Sequence, residues 1–169
     1  MATEEQTTFN SNLSIRAGQN EAIIQELLIS NRIVSKLSFR LYKAGSPPNE
    51  DVLFIIKRVS PDEVIASKVW GKAPDLSATP GWVEVTLDVP VLINEIVRIG
   101  IAFNYGTSSN RVKVEYQTSD VKANEELWVW TGAVWNSQAT DLAYIYTYEE
   151  GLVPAAGGGP ANLVAAGII

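Results

Sequence analysis

The sequence predicts an all-β protein, an antiparallel β-sandwich that is jelly-roll-like and carries extended arms at both ends. The first observation is the alternation of apolar and polar side chains in residues 80–103, PGWVEVTLDVPVLINEIVRIGIAF, where two runs of period two flank a Pro-marked connection at residues 90–95. The second is the recurrence of such runs, roughly nine or ten of them, with turns spaced about 8 to 12 residues apart. Both are typical of two packed antiparallel sheets.

Length and composition divide the chain into one domain and two arms. A chain of 169 residues with 46% hydrophobic content suffices for one sizeable core and is short for two, so residues 9–150 are predicted to form a single domain. Residues 1–8 are rich in Glu and Thr without periodicity, which predicts an N-terminal arm. Residues 151–169, GLVPAAGGGPANLVAAGII, contain no charged side chain, and their Gly and Pro exclude a helix, which predicts an apolar C-terminal arm.

Five strands are predicted before the opening pattern, at residues 9–16, 22–30, 33–41, 51–59 and 64–72. Ser30-Asn31-Arg32 has the composition of a turn, so the second and third of these strands are predicted to form a hairpin. The fourth, DVLFIIKRV, is almost continuously apolar, which predicts a strand in the middle of its sheet. Pro47 and Pro48 exclude a helix or a central strand just before it.

The remaining strands are predicted within residues 82–89, 97–103, 111–117, 127–136 and 141–149. The segment LWVWTGAVWN at 127–136 predicts a hairpin with Thr131-Gly132 at its tip. Tyr144, Tyr146 and Tyr148 recur at every second position, which predicts an aromatic ladder along one face of the last strand.

Composition excludes several classes of function. The chain has no Cys and no His, which excludes disulfides, thiolate or imidazole metal ligands, Cys nucleophiles and His-dependent catalytic triads. The 13 basic residues are scattered among 19 acidic ones, a net charge of -6, so we expect no nucleic-acid partner. The N-terminus lacks the features of a signal peptide and no run of about 18 apolar residues occurs, so we expect synthesis in the cytoplasm and no membrane span.

Carboxylates offer no convincing catalytic or metal site in this sequence. Those considered for catalysis are Glu84, Asp88 and Glu115, and those considered for Ca²⁺ are Asp51, Asp120 and Asp141. The first three occupy polar positions of alternating strands, where solvated charges ordinarily lie, and the loops with the other three are poor in further oxygen ligands. We therefore expect a protein that is not an enzyme and that holds no metal or other cofactor.

Three tryptophans are the candidates for a ligand site. Trp128 and Trp130 lie two apart on a predicted strand and so face the same way, while Trp135 returns across the hairpin toward them. A row of exposed indoles would stack on the pyranose rings of a glycan. The favoured interpretation is that Trp128 and Trp130 pack in the core or in a subunit contact, because exposed patches of that size are uncommon in monomers.

The C-terminal arm is predicted to make contacts between subunits. Its large aliphatic side chains are poorly tolerated in water and should dock on a protein surface, either on the same sandwich or on a neighbouring subunit. Of these two surfaces, we expect the arm to dock on the neighbouring subunit. The predicted contact residues are Leu152, Val153, Leu163, Val164, Ile168 and Ile169.

The order of several segments resembles a β-sandwich module found in phage virion structural proteins and in bacterial surface proteins of carbohydrate-binding type. The segments are VSKLSFRLYKAGSPP, PGWVEVTLDVPV, IVRIGIAF, WVWTGAVW and DLAYIYTY, and the likeness covers about residues 23–148. The resemblance implies a sandwich fold, and it implies a virion component, an adhesin or a carbohydrate-binding domain as the function.

The leading functional expectation is a non-enzymatic structural protein that builds or decorates a larger particle, above all a viral capsid or tail. Its expected partners are copies of itself or another virion protein, and its expected location is the virion. The alternative is a carbohydrate-binding or adhesin module that binds a glycan through Trp128, Trp130 and Trp135. The sequence thus defines two kinds of candidate site, the tryptophan hairpin and the terminal arms.

Overall fold

Antiparallel strands make up almost all of the regular structure. The computed structural model of the chain describes residues 1–151. Its strands are β1 (Ala2–Gln6), β2 (Ser11–Ile15), β3 (Ala22–Ala44), β4 (Asp51–Arg58), β5 (Val64–Lys72), β6 (Gly81–Ala102), β7 (Arg111–Gln117), β8 (Glu126–Trp130), β9 (Trp135–Gln138), β10 (Asp141–Leu142) and β11 (Tyr144–Glu150). A single turn of 3-10 helix, Ala73–Asp75, follows β5. The prediction of an all-β antiparallel fold is confirmed.

Strands β3 and β6 are long enough to belong to both layers of the sandwich. The first half of β3 pairs with the second half of β6 on one side and with β8 on the other. These two half-strands form the first layer together with β8, β9, β4 and β5. The second half of β3 pairs with the first half of β6, with β11 and with β7. Strands β1, β2 and β10 complete the second layer through β11 and β7.

Asn31 lies at the bend of β3, where the sequence predicts a hairpin turn. That prediction is wrong, because the chain continues as one strand through Asn31, whose φ is 51°. The register with β6 shifts between Ile29 and Arg32, so the extra residue forms a bulge that bends the strand. Asn94 Oδ1 accepts a hydrogen bond from the Asn31 amide at 3.0 Å and satisfies a donor that has left the ladder. Polar residues that favour turns also favour such bulges, so composition does not separate the two.

A second bulge explains why β6 is one strand, whereas the sequence predicts two with a connection between them. Val34 pairs with Val91 and Lys36 pairs with Thr86, so four residues of β6, 87–90, lie opposite Ser35 alone. Pro90 has no amide hydrogen to donate to the ladder, and a bulge is a position where a strand tolerates it. The Pro-marked segment therefore bends β6 without ending it.

The two layers enclose one core, in which the predicted tyrosine ladder is buried. Tyr144, Tyr146 and Tyr148 on β11 have 0%, 1% and 7% of their surface exposed, and the rings of neighbouring members are in contact. Phe39 of the second layer meets Phe54 of the first edge to face, with ring centroids 5.1 Å apart. This contact joins the apolar faces of the two layers directly.

The N-terminal segment forms an edge strand, where the sequence predicts an arm. β1 pairs along its whole length with β11, and Glu4 is held by the side chains of Lys122 and Arg32. Within residues 1–151 the other edge of this strand has no partner strand, and most of its side chains are exposed, so its sequence lacks the alternation by which the other strands were predicted. Within the described part of the chain, no helix has the length and apolarity to cross a membrane.

The described structure ends at Gly151, which is fixed to the bend of β3. Its amide donates a hydrogen bond to the carbonyl oxygen of Asn31 at 2.7 Å, and Asn31 Nδ2 donates one to its carbonyl oxygen at 3.0 Å. The predicted assembly residues Leu152, Val153, Leu163, Val164, Ile168 and Ile169 lie outside the described residues. The position from which residues 152–169 continue is nevertheless defined.

Candidate functional site

The outer face of the first layer carries a trough of small and aliphatic side chains. Ala22 of β3, Ala102 of β6 and Leu53 of β4 lie side by side in register, and Ile55 of β4 belongs to the adjoining row. The solvent side of an antiparallel sheet ordinarily carries polar side chains. The apolar floor and its small members leave a groove of about 270 Å³, which we call the tryptophan groove after its wall.

Atoms of β3 lie close to Gly100 of β6 and occupy the space that a side chain would need there. A Cβ atom at Gly100 would lie 2.2 Å from the carbonyl oxygen of Ile23 and 2.5 Å from Cγ2 of Ile24. No side chain therefore fits at this position. Between Ile24 of β3 and Ile55 of β4, β6 thus adds no side chain to the face of the sheet.

The β8–β9 hairpin supplies the aromatic wall of the groove. Trp130 and Trp135 are directly opposite one another across the hairpin, with ring centroids 5.3 Å apart and planes inclined by 48°. Thr131 donates its amide hydrogen to the carbonyl oxygen of Val134, and Gly132 has a φ of 86°, a conformation that favours glycine. The predicted hairpin with Thr131-Gly132 at its tip is confirmed.

Trp135 shows that this hairpin folds over the outer face of the layer. Its ring centroid lies 5.2 Å from Nζ of Lys57 on β4, although β8, β3 and β6 separate the two strands. Four strand spacings amount to about 19 Å in a flat sheet, and Lys57 lies four residues beyond Leu53, the β4 member of the row that contains Trp130. The contact therefore requires a hairpin that curls toward β4 and fixes the tryptophan wall above the floor.

Arg98 fixes the other tryptophan of the hairpin. The guanidinium carbon lies 4.5 Å from the ring centroid of Trp128 and 5.4 Å from that of Trp135, in cation–π geometry. Arg98 also donates a hydrogen bond from Nε to Glu26 at 2.8 Å. Of the three predicted glycan-stacking residues, Trp130 and Trp135 line the groove, whereas Trp128 lies outside its lining and packs against Arg98.

A pair of opposite charges forms the polar rim of the groove. Lys57 Nζ lies 2.8 Å from Asp62 Oδ1, and Val64 lines the groove beside them. The Lys57 side chain is 14% exposed, whereas that of Asp62 is 52% exposed. The groove thus combines an apolar floor, an indole wall, a cationic donor and an accessible carboxylate acceptor. Lys57 and Asp62 were not predicted, since each has the sequence signature of an ordinary surface charge.

The carboxylates considered for catalysis form ion pairs on the sheet surface. Glu84 pairs with Lys36, Asp88 with Lys68, Glu115 with Arg40, and Asp51, one of those considered for Ca²⁺, pairs with Lys72. Each of these pairs is an opposite-charge contact of the kind common on sheet surfaces. Among residues 1–151, no group of three Asp or Glu side chains is arranged to hold a metal ion.

Asp141 is buried and fully engaged by hydrogen-bond donors. Gln25 Nε2 donates to Oδ1 at 2.8 Å, and the amides of Val121 and Lys122 donate to Oδ2 at 2.6 and 2.9 Å. A carboxylate saturated by these donors anchors the loop before β8 and is not arranged as a cation ligand. Asp120, the remaining Ca²⁺ candidate, is exposed in the same loop.

A polar cluster that the sequence does not predict covers one end of the tyrosine ladder and borders a cavity of about 210 Å³. Its members are Glu4, Arg32, Lys122, Glu125, Tyr144 and Tyr146. The Tyr144 hydroxyl donates to both carboxylate oxygens of Glu125, at 2.8 and 3.0 Å, and Arg32 donates to the Tyr146 hydroxyl. These residues come from four separate segments, and only the folded chain brings them together.

The pKa values of the two carboxylates in this polar cluster are shifted in opposite directions. The hydrogen bond from Lys122 lowers the pKa of Glu4 below its ordinary value, against the opposing effect of burial. Burial raises the pKa of Glu125, and it raises the pKa of Tyr146 to about 12. The cluster joins β1, β3 and β11 to the loop before β8, so its role in the described structure is to hold the edge strand in place.

A second exposed surface lies at the bend of the two long strands. Leu28 and Ile96 are directly opposite each other on β3 and β6, and Leu92 lies on the same side of β6 as Ile96. Their exposures are 62%, 52% and 61%. A groove of about 440 Å³ adjoins Leu28 and Ile96. We call these three residues the bend surface.

The chain leaves the described domain at the bend surface. A Cβ atom on Gly151 would lie 2.9 Å from Cδ1 of Leu92, so the end of the described structure touches this leucine. Residues 152–169 therefore continue from a point beside exposed aliphatic side chains. No protein-family model matches the chain, and no curated protein matches its sequence.

Proposed function

We propose that this protein is a non-enzymatic structural protein that assembles into, or decorates, a larger particle, of which a viral capsid or tail is the first candidate. The observation that carries the proposal is the bend surface, three large aliphatic side chains more than half exposed on the two central strands. Clustered exposed apolar side chains are typical of protein–protein contacts, because their transfer out of water stabilises the complex.

The sequence of residues 152–169 supports the same proposal. It has no charged side chain and contains six large aliphatic residues, and it continues from the point where Gly151 touches Leu92. An apolar segment that begins beside an apolar surface is suited to exchange between copies, each copy covering the exposed surface of the next. The resemblance to sandwich modules of virion proteins favours a virion as the particle, and the virion as the protein's location.

The test is the mass of the full chain in solution and its dependence on the bend surface. We expect oligomers or particles in analytical ultracentrifugation and electron micrographs, and we expect the double variant Leu28→Asp, Ile96→Asp to sediment as a smaller species. Val134→Asp is the matched control, since Val134 is 55% exposed at the hairpin tip, and it should assemble like the unaltered chain. A monomeric unaltered chain, or a double variant that assembles normally, would contradict the proposal.

A further inference from the structure

We propose that the tryptophan groove binds a neutral saccharide, with one pyranose ring seated on the floor formed by Ala22, Leu53 and Ala102 against the wall of Trp130 and Trp135. This inference is independent of the assembly proposal, because the groove and the bend surface have no residue in common.

The shape of the groove fits a single sugar ring. Three strands contribute small or flat apolar side chains to its floor, on the side of the sheet where polar side chains are the norm. Its volume of about 270 Å³ lies just under the roughly 300 to 1,000 Å³ of sites that hold drug-sized ligands. A compact ring is therefore a better match than a longer flexible ligand.

The chemistry of the walls matches a ligand that has apolar faces and a polar rim. The C–H faces of a pyranose pack on indoles and aliphatic side chains, whereas its hydroxyl groups need hydrogen-bond donors and acceptors. Trp130 and Trp135 supply the first kind of surface. Lys57 supplies a donor, and the half-exposed carboxylate of Asp62 supplies an acceptor that solvent already reaches.

The charge balance of the site favours a neutral ligand over an ionic one. Lys57 and Asp62 form a 2.8 Å pair and compensate each other, and the nearby Arg98 is compensated by Glu26. An anionic sugar would meet the Asp62 carboxylate, and a cationic one would meet the Lys57 ammonium group. Either would lose part of its attraction to like-charge repulsion.

The wall of the groove is held in place before any ligand arrives. Trp135 is in contact with Trp130, Lys57 and Arg98, so its ring orientation is defined by three neighbours. Binding to a preorganised wall avoids the entropy cost of ordering the side chains. The cation–π contacts of Lys57 and Arg98 therefore hold Trp135 in its binding orientation. They also cover part of its ring, so Trp130 and the floor provide the main stacking area.

The experiment uses the full chain and an array of neutral oligosaccharides built from glucose, galactose, mannose and N-acetylglucosamine, with heparin and sialylated glycans as charged probes. Hits are then titrated while tryptophan fluorescence is followed. We expect saturable binding to a neutral glycan. We expect at least tenfold weaker binding in Ala102→Leu, which fills the floor and keeps every tryptophan, and in Asp62→Asn, which removes the carboxylate.

Trp82→Phe is the matched control, because Trp82 is 38% exposed on the other layer and should not affect the titration. Near-ultraviolet circular dichroism identifies a variant that has lost its fold, and Asp62→Asn then replaces Ala102→Leu, since its side chain is half exposed. The inference is overturned if no neutral glycan binds, if charged glycans bind better, or if a folded groove variant keeps its affinity. It is overturned equally if Trp82→Phe weakens binding as much as the groove variants do.

Discussion

The side chains of Gln25 and Asp141 are hydrogen-bonded to each other inside the protein, although 116 positions separate them in the sequence. Gln25 Nε2 donates to Asp141 Oδ1, and Gln25 Oε1 accepts the amide hydrogen of Leu142, both at 2.8 Å. Neither Gln25 nor Asp141 is exposed to solvent. Buried polar side chains are costly unless their hydrogen bonds are satisfied, and here the two side chains satisfy each other and the neighbouring backbone.

Asp141→Asn is expected to destabilise the protein by about 2–3 kcal/mol, because the charge-assisted hydrogen bonds are lost and buried amide donors lose an acceptor. Urea denaturation followed by tryptophan fluorescence measures the change in the free energy of unfolding. Asp120→Asn in the exposed part of the same loop is the control, with an expected effect within about 0.5 kcal/mol. Equal denaturation midpoints for the two variants would contradict this role of Asp141.

Glu4 is expected to make the attachment of β1 sensitive to acid. Its pKa is lowered in the folded protein, first by the hydrogen bond from Lys122, so its stabilising contribution is present above its ordinary pKa near 4.5 and is lost as the pH falls below that value. Protection of the β1 amides against hydrogen exchange should therefore decrease between pH 5 and pH 3. Glu4→Gln should already show reduced protection at pH 7, whereas the exposed Glu5→Gln should behave like the unaltered chain. Equal protection in the two variants would rule out the effect.

Glu125 is expected to have the opposite effect on the pH dependence of stability. Burial raises its pKa in the folded protein, so its contribution to stability is fully present below its ordinary pKa and is lost as the pH rises through the raised value. Glu125→Gln removes the buried charge and keeps an oxygen for the Tyr144 hydroxyl. We expect this variant to be at least as stable as the unaltered chain at pH 7 and to lose that advantage at pH 4. Thermal denaturation of the variant and the unaltered chain at both pH values measures the difference. A variant that is less stable than the unaltered chain at pH 7 would refute the expectation.

Phe39→Ala is expected to lower the free energy of unfolding by about 3–5 kcal/mol, because it removes a buried ring that contacts Phe54 across the two layers. Phe9→Ala is the matched control, since Phe9 is 39% exposed and its ring packs on the guanidinium of Arg40. Guanidinium denaturation compares the two variants. If both lose the same stability, the contact between the layers is not the main contribution of Phe39.

Most of the fold is predictable from the sequence because period-two patterns are local. Alternation identifies the faces of β6 and β7, and Thr131-Gly132 identifies the hairpin without knowledge of the rest of the chain. Asn31 is different, since a polar residue that adopts positive φ is compatible with a turn or a bulge, and only the pairing of β3 with β6 decides. β1 escapes prediction because an exposed edge strand needs no apolar alternation.

The tryptophan groove is predictable only in part. Trp130 and Trp135 are recognisable as a pair because the hairpin that aligns them is local. Arg98, which packs against Trp128 and Trp135, lies 30 residues before Trp128, and Lys57 and Asp62 lie farther away still. Nothing in the sequence marks a small residue such as Ala102 as part of the groove floor, because that role depends on the residues beside it on the neighbouring strands. The chemistry of the wall is therefore local, and that of the floor and rim is not.

The pairing of β1 with β11 has a consequence for synthesis on the ribosome. The partner of Ala2–Gln6 is Tyr144–Tyr148, so the first strand emerges well before its partner exists. At typical rates of about 5–20 residues per second, some 140 intervening residues correspond to a delay of roughly 7 to 28 seconds. The fold closes only when translation has nearly reached residues 152–169. Until then β1 has no partner strand in the growing chain, so its backbone donors and acceptors remain hydrogen-bonded to water.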